Sequence, residues 1–137
     1  MKKLNARFTL ILSLALCGSA FAQTTADRIK AFDVEKSKQL VADELSDPDS
    51  AKFRKMYISQ FVNPNNGKIT LWLCGEVNAK NKMGGYVGYR QFLAFDDMAQ
   101  INPAAENEKS MEGVQQQMFD LTYPKVCSSK VKECHRH

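Results

Sequence analysis

The sequence predicts an α+β domain in the order α-β-β-β-α, a three-stranded antiparallel meander with an N-terminal and a C-terminal helix on one face, stapled by a disulfide. Two amphipathic stretches, after residue 33 and around residues 111–121, have apolar residues at helical spacing. Three apolar runs lie between them, and the first two are separated by Asn66-Gly67, a strong hairpin signal. An export signal makes a disulfide the expected use of the cysteines.

The first 22 residues have the features of a secretory signal peptide. A short apolar run covers residues 8–16, residues 20–22 form a small-x-small cleavage site, and the run is preceded by three basic residues, Lys2, Lys3 and Arg7. The run is shorter than the about 20 residues that a transmembrane helix needs. We therefore expect a cleaved chain without stable membrane insertion, located in the periplasm or, alternatively, secreted.

Residues 23–137 are predicted to form a single α+β domain of nearly balanced charge. Cleavage removes three of the nineteen basic residues and no acidic residue, which leaves 16 basic and 15 acidic residues, a net charge of +1. This balance disfavours nucleic acid as a partner, because binding to its backbone needs a concentrated basic surface. The remaining basicity is most evident in the C-terminal tail, which we expect to be solvated and frayed.

Three cysteines remain after cleavage: Cys74, Cys127 and Cys134. Neither a Cys-x-x-Cys pair nor zinc-finger spacing is present, so a structural disulfide is favoured over a metal site. The preferred pairing is Cys74–Cys127, which closes a loop of about 50 residues and stabilises by roughly 4 kcal/mol in the chain-entropy model. A local Cys127–Cys134 pair, with Cys74 as a buried thiol, remains open.

The first helix is predicted to begin after Asp33, a suitable N-cap. Its buried face is expected to hold Val34, Ser37, Val41 and Leu45. Pro48 ends the helix, because proline cannot continue it, and suits the first position of a following helical turn.

The three strands are predicted at residues 53–62, 68–78 and 86–95. The second should be central, because it is partly apolar on both faces: Ile69, Leu71, Leu73 and Val77 alternate with Trp72, Cys74 and Glu76. Asp96-Asp97 is expected to end the sheet. A second helix then follows Asn102-Pro103, with a core-facing stripe of Met111, Val114, Met118 and Leu121.

Catalytic and metal-binding templates are absent from the sequence. The histidines of residues 23–137 are His135 and His137, at the end of the chain, where nothing orients them as a base. No glycine-rich phosphate loop is present. We assign no catalytic residue, no metal site and no cofactor, and an enzyme is the less favoured class.

The stretch between the second and third strands combines polar, charged and aromatic residues. Two glycines, Gly84 and Gly85, allow unusual backbone geometry there, and Tyr and Arg are enriched in interface hot spots. The candidate binding residues are Asn78, Lys80, Asn81, Lys82, Tyr86, Tyr89 and Arg90.

Two segments of the chain carry a family resemblance. Residues 47–54 read D-P-x-S-A-x-F-R, and residues 74–88 read C-G-x-V-N-x-K-N-x-x-G-G-Y-x-G. Together they resemble a family of small exported bacterial proteins that have no established activity. The resemblance implies export and a domain that includes residues 47–95, and it supplies no catalytic residue.

These observations predict a small periplasmic, non-enzymatic binding or inhibitor module that recognises a protein partner in the cell envelope through residues 78–90. One alternative is a cell-envelope enzyme that uses Glu76, Lys80 and Tyr86. Another is a structural subunit of an envelope or phage-derived assembly. The oligomeric state stays open.

Overall fold

The computed structural model describes residues 23–103 and 111–134. The predicted signal segment, residues 1–22, and the last three residues lie outside this part. The helices are α1 (Thr25–Lys30), α2 (Val34–Asp43) and α3 (Met111–Val126), and a 3₁₀ turn covers Pro48–Ser50. The strands are β1 (Lys52–Val62), β2 (Ile69–Asn78), β3 (Arg90–Phe95), β4 (Met98–Ile101) and β5 (Lys130–Cys134). No helix in the described ranges is long and apolar enough to cross a membrane.

The prediction of a three-stranded meander is wrong, because the strands form a five-stranded antiparallel sheet in the order β4-β3-β2-β1-β5. After β3, Asp96 adopts a left-handed conformation with φ 56°, and the chain turns back at once to form β4. Aspartate tolerates this conformation better than most residues. The turn that was expected to end the sheet therefore adds a strand to it.

The fifth strand comes from the tail that was predicted to be frayed. Residues 130–134 pair antiparallel with β1, where Met56 lies opposite Cys134 and Tyr57 lies opposite Glu133. Lys130 and Lys132 lie on this edge strand, where lysine is common because its charge discourages pairing with further strands. The basic residues of the tail are thus compatible with a sheet edge as well as with a solvated end.

The helices lie on opposite faces of the sheet, and the prediction of helices on one face is wrong. Val41 of α2 packs with Leu73 and Phe92 on one face. Phe119 of α3 packs with Leu93 on the other, in a cluster that also contains Cys74. Successive side chains of a strand point to opposite faces, so the alternation along β2 and β3 serves two separate cores.

Helix α2 begins after Asp33 as predicted, but it ends at Asp43, so Leu45 lies beyond it. The side chain of Asp33 accepts a hydrogen bond from the Lys36 backbone N–H at 2.9 Å and so caps α2. Ser37 and Val41 are buried in the expected face. After α2, Pro48 takes the first position of the 3₁₀ turn.

The Cys74–Cys127 pairing is confirmed. The disulfide joins β2 to the end of α3 across 53 residues of sequence, with 6.0 Å between the Cα atoms. Cys134 is a half-buried free cysteine in β5. The bond fixes α3 to the central strand and, with it, the extent of the sheet face that α3 covers.

The stripe predicted to bury α3 lies on its exposed face. Val114, Met118 and Leu121 are between 55% and 61% exposed, and the side chain of Met111 lies outside the described part. Phe119 is buried instead, with its ring stacked on Tyr123 at 5.2 Å between centroids. Both sets have helical spacing, but aromatic rings bury more apolar area, and the disulfide draws their side of the helix to the sheet.

Candidate functional site

Beyond β2, the chain continues as a small loop that its own asparagines hold in shape. Lys80 and Tyr86 form an isolated antiparallel bridge. Between them, Asn81 Oδ1 accepts hydrogen bonds from the backbone N–H groups of Met83 at 3.0 Å and Gly85 at 3.1 Å. Gly84 has φ 82°, which a residue with a side chain rarely adopts. Asn81 therefore stabilises the loop conformation, and these two hydrogen bonds engage its side-chain oxygen.

Asn78 holds the return of the loop in the same way. Its Oδ1 accepts a hydrogen bond from the N–H of Gly88 at 3.0 Å, and Gly88 has φ 97°. This conformation interrupts the strand, and regular pairing resumes where Arg90 lies opposite Val77. The third strand consequently begins at Arg90 and not at Tyr86, and residues 78–90 form what we call the 78–90 loop.

The 3₁₀ turn anchors this loop to the rest of the domain. The Oγ of Ser50 accepts a hydrogen bond from the backbone N–H of Lys80 at 2.8 Å. The hydroxyl of Tyr86 donates to the carbonyl oxygen of Ser50 at 3.4 Å, a long hydrogen bond. The two segments that carry the family resemblance, residues 47–54 and 74–88, are thus in direct contact.

The ring of Tyr86 has two lysines close to it. The Nζ of Lys52 is 4.2 Å from the ring centroid, and the Nζ of Lys80 is 5.8 Å from it. Both distances are within the range of a cation–π interaction. Tyr86 remains 42% exposed, so the ring is held by its neighbours and still accessible to a partner.

A second tyrosine, Tyr89, is in contact with an arginine. The guanidinium carbon of Arg54 is 3.6 Å from its ring centroid. Arg54 Nε also contacts Glu76 Oε2 at 2.5 Å, and Lys55 Nζ contacts the other carboxylate oxygen at 3.2 Å. Because alternate residues of a strand share a face, Lys52 and Arg54 point to the same side of β1. We call Lys52, Arg54, Lys80, Tyr86 and Tyr89 the tyrosine–cation surface.

A β-bulge lies next to this ion pair. The pairing of β1 with β2 shifts between Arg54 and Tyr57, and Lys55 has φ 50°, an uncommon value for a residue with a side chain. Opposite the bulge lies Gly75, where an added Cβ would come within 3.0 Å of the Phe92 ring and 3.2 Å of the Arg54 carbonyl oxygen. A side chain at position 75 would therefore have to displace the Phe92 ring or the β1 backbone.

The pKa of the Glu76 carboxyl lies below its usual range. Partial burial raises it, but the hydrogen bonds and positive charges of Arg54 and Lys55 together outweigh that effect. A general acid near neutral pH needs a raised pKa. Glu76 is therefore suited to neutralising two cations and unsuited to donating a proton.

The predicted binding residues separate into four groups. Lys80, Tyr86 and Tyr89 belong to the tyrosine–cation surface, whereas Asn78 and Asn81 hold the loop backbone. Lys82 is exposed in the loop. Arg90 lies opposite Val77, whose side chain packs in the core under α2. The Nη1 of Arg90 is 3.5 Å from the Asn102 carbonyl oxygen. Arg90 thus points to the other face of the sheet.

Four residues of the site were not predicted from the sequence: Ser50, Lys52, Arg54 and Lys55. They precede the loop by more than 20 residues, and only the antiparallel pairing of β1 with β2 brings them beside it. The D-P-x-S-A-x-F-R segment contains Ser50 and Arg54 and was the signal that could have identified them. Among the described residues, no group of three or more His, Cys, Asp or Glu side chains could hold a metal ion.

In comparisons with known proteins, no family model, no curated protein and no solved structure matches the chain. The resemblance to small exported bacterial proteins stays a prediction.

Proposed function

We propose that this protein is a small, non-enzymatic binding or inhibitor module of the periplasm that recognises a protein partner of the cell envelope through the 78–90 loop. The observation that carries the proposal is the position of Tyr86. Its hydroxyl is hydrogen-bonded to Ser50, two lysines lie within cation–π distance of its ring, and 42% of the residue stays exposed. Tyrosine is enriched in interface hot spots.

The rest of the loop supports a role in recognition. Met83 at the tip is 94% exposed and Val87 is 53% exposed, so apolar area is available beside the charged groups. The hydrogen bonds to Asn78, Asn81 and Ser50 hold the loop before any partner arrives. Binding through a preorganised loop loses less conformational entropy than binding through a flexible one.

The location and the class of function rest on separate arguments. The Cys74–Cys127 disulfide is compatible with an oxidising compartment such as the periplasm, and secretion is the alternative. The enzyme alternative needs Glu76 as an acid or base, and its ion pairs with Arg54 and Lys55 oppose that role. A binding module requires no such group.

The test is affinity capture from periplasmic extract with mass spectrometry as the readout. The bait is the tagged chain, expressed from its full sequence and purified from the periplasmic fraction. It is compared with Tyr86→Ala and with Leu121→Ala, a control that truncates a similarly exposed apolar side chain on α3. Asn81 is left intact, because its side chain holds the loop together.

A partner that is retained by the wild type and by Leu121→Ala, and lost from Tyr86→Ala, is the expected result. Loss of the partner from Leu121→Ala alone would place the binding surface on the exposed face of α3 and overturn the loop assignment. Capture of nothing by any bait would refute the binding module, and failure to recover the chain from the periplasmic fraction would refute the location.

A further inference from the structure

We propose that the partner presents an extended acidic segment, with carboxylates at alternate positions that pair with Lys52 and Lys80 beside Tyr86. This inference rests on the proposed function and adds the chemistry of the partner. It follows from how charge is distributed and neutralised within the tyrosine–cation surface.

Positive charge is concentrated on this surface although the chain as a whole is nearly balanced. Lys52, Arg54 and Lys80 belong to it, and Lys55 lies beside it in the bulge of β1, whereas Glu76 is the carboxylate among them. Residues 23–137 together carry a net charge of only +1. A local excess of one sign directs a partner of the opposite sign to that surface.

The internal carboxylate neutralises only part of this charge. Glu76 contacts Arg54 and Lys55 with its two oxygens. Within the described ranges, neither Lys52 nor Lys80 takes part in a salt bridge. Both ammonium groups lie within 6 Å of the Tyr86 ring centroid. A cation–π contact leaves an ammonium group free to donate hydrogen bonds on its other side. These two lysines are therefore the groups that a partner can pair with.

The spacing of the lysines fits an extended segment. Their distances to the Tyr86 centroid limit the separation of the two Nζ atoms to at most 10 Å. Alternate side chains of an extended strand lie about 6.5–7 Å apart on one face. Two carboxylates with one residue between them can thus reach both lysines, and the residue between them can contact the loop.

The acidic residues next to the site restrict the approach. Asp47 and Asp49 belong to or precede the 3₁₀ turn that ends at Ser50, and Asp49 is exposed. They repel a carboxylate that comes from the side of this turn. We therefore expect the acidic segment to lie along Lys52 and Lys80 and away from residues 47–49.

The test measures binding of two labelled peptides by fluorescence anisotropy. One peptide alternates glutamate with glycine, and the other replaces each glutamate with glutamine. The protein is the full-length chain after export, in the wild type, Lys52→Gln, Lys80→Gln and the double variant. Lys68→Gln is the matched control, because it removes the same charge from an exposed lysine in the hairpin between β1 and β2.

We expect the glutamate peptide to bind and the glutamine peptide not to bind. Each single lysine variant should weaken binding by about twofold to fivefold, the range of one exposed ion pair, and Lys68→Gln should leave it unchanged. Glu76→Gln should strengthen binding, because it frees the charges of Arg54 and Lys55 while keeping the side-chain shape. An enzyme that depends on Glu76 would instead lose its activity with this change.

Salt provides an independent readout. Binding should weaken steeply between about 0.1 M and about 1 M salt, as the Debye length falls from about 10 Å to about 3 Å. Equal binding of both peptides, or a loss with Lys68→Gln equal to that with Lys52→Gln, would overturn the inference. Vesicles of anionic phospholipid serve as a second probe, and binding to them without binding to the peptide would replace an acidic protein segment with a membrane surface.

The two proposals can fail separately. A captured protein that depends on Tyr86 but is indifferent to Lys52→Gln, Lys80→Gln and salt would retain the binding module and refute the acidic segment. Peptide binding without any captured protein would refute the proposed function while the charge preference of the surface stays.

Discussion

The backbone N–H of Lys80 donates a hydrogen bond to the Oγ of Ser50 at 2.8 Å, which ties the 78–90 loop to the turn before β1. Thirty residues of sequence separate the two, and the whole β1–β2 hairpin lies between them. Ser50 also holds the Tyr86 hydroxyl through its carbonyl oxygen. One serine thus positions both the first and the last residue of the bridge that closes the loop.

Replacing Ser50 with alanine should loosen the loop without unfolding the domain. The N–H of Lys80 loses its acceptor, and an average side-chain hydrogen bond contributes about 1 kcal/mol. We expect a loss of about that size in the free energy of unfolding and faster hydrogen exchange at Lys80. Ser46→Ala, at an exposed serine of the same turn region, is the control. Unchanged exchange at Lys80 would show that the loop holds its shape without Ser50.

Gly75→Ala should destabilise the protein more than a surface change does. Its Cβ would come within 3.0 Å of the Phe92 ring and 3.2 Å of the Arg54 carbonyl oxygen, so the sheet or the ring must move. Overpacking of this kind typically costs about 1–3 kcal/mol. Gly85→Ala is the matched control, because its Cβ would meet only Asn81 Oδ1, at 3.8 Å. Equal stability of the two variants in urea would contradict the close packing at Gly75.

Loss of the disulfide should remove a large part of the stability. The bond spans 53 residues, for which the chain-entropy model gives about 4 kcal/mol. We expect Cys127→Ser to unfold at lower urea concentration than the wild type and to be insensitive to added reductant. Cys134→Ser, which alters the free cysteine, should retain the wild-type response to reductant. A large loss with Cys134→Ser under oxidising conditions would instead implicate a bond to Cys134.

The two faces of α3 should differ sharply in their sensitivity to truncation. Phe119 is 2% exposed and packs against the disulfide, so Phe119→Ala should cost about 3–5 kcal/mol. Leu121 is 61% exposed, and Leu121→Ala should change the free energy of unfolding by about 0.5 kcal/mol or less. The opposite ranking would mean that Val114, Met118 and Leu121 form the buried face, as the helical spacing alone predicted.

The contrast at α3 shows how far the sequence determines the fold. Local signals worked where one choice dominates: the Asp33 cap, the turn at Asn66-Gly67, and the Cys74–Cys127 disulfide. They failed where two choices are nearly equal, as with the two apolar faces of α3. They also failed where a strand depends on a distant neighbour, as β5 depends on β1.

The candidate site was only half predictable for the same reason. The polar residues identified the 78–90 loop as a candidate. They did not indicate that the side chains of Asn78 and Asn81 accept hydrogen bonds from the backbone of the loop itself. Lys52 and Arg54 lie beside Tyr86 and Tyr89 because of the strand register, and the register includes a bulge. A bulge exchanges the faces of all residues beyond it, so alternation along β1 alone assigns them incorrectly.

The ion pairs of Glu76 should make stability depend on pH in the acidic range. Its pKa in the folded protein lies below the unfolded value of about 4.3, because Arg54 and Lys55 outweigh the effect of burial. The stabilisation is therefore complete above the unfolded pKa and is lost as the pH falls through the lower, folded pKa. We expect the free energy of unfolding of Glu76→Gln to decline less than that of the wild type as the pH falls through this acidic range.

Glu35→Gln, at an exposed ion pair on α2, is the control. Its stability should follow that of the wild type more closely, because a surface pair between exposed side chains contributes little. A Glu76 pKa measured by NMR at or above the usual value would contradict the ion pairs with Arg54 and Lys55. It would also contradict the inference that Glu76 neutralises these two cations and leaves Lys52 and Lys80 available to a partner.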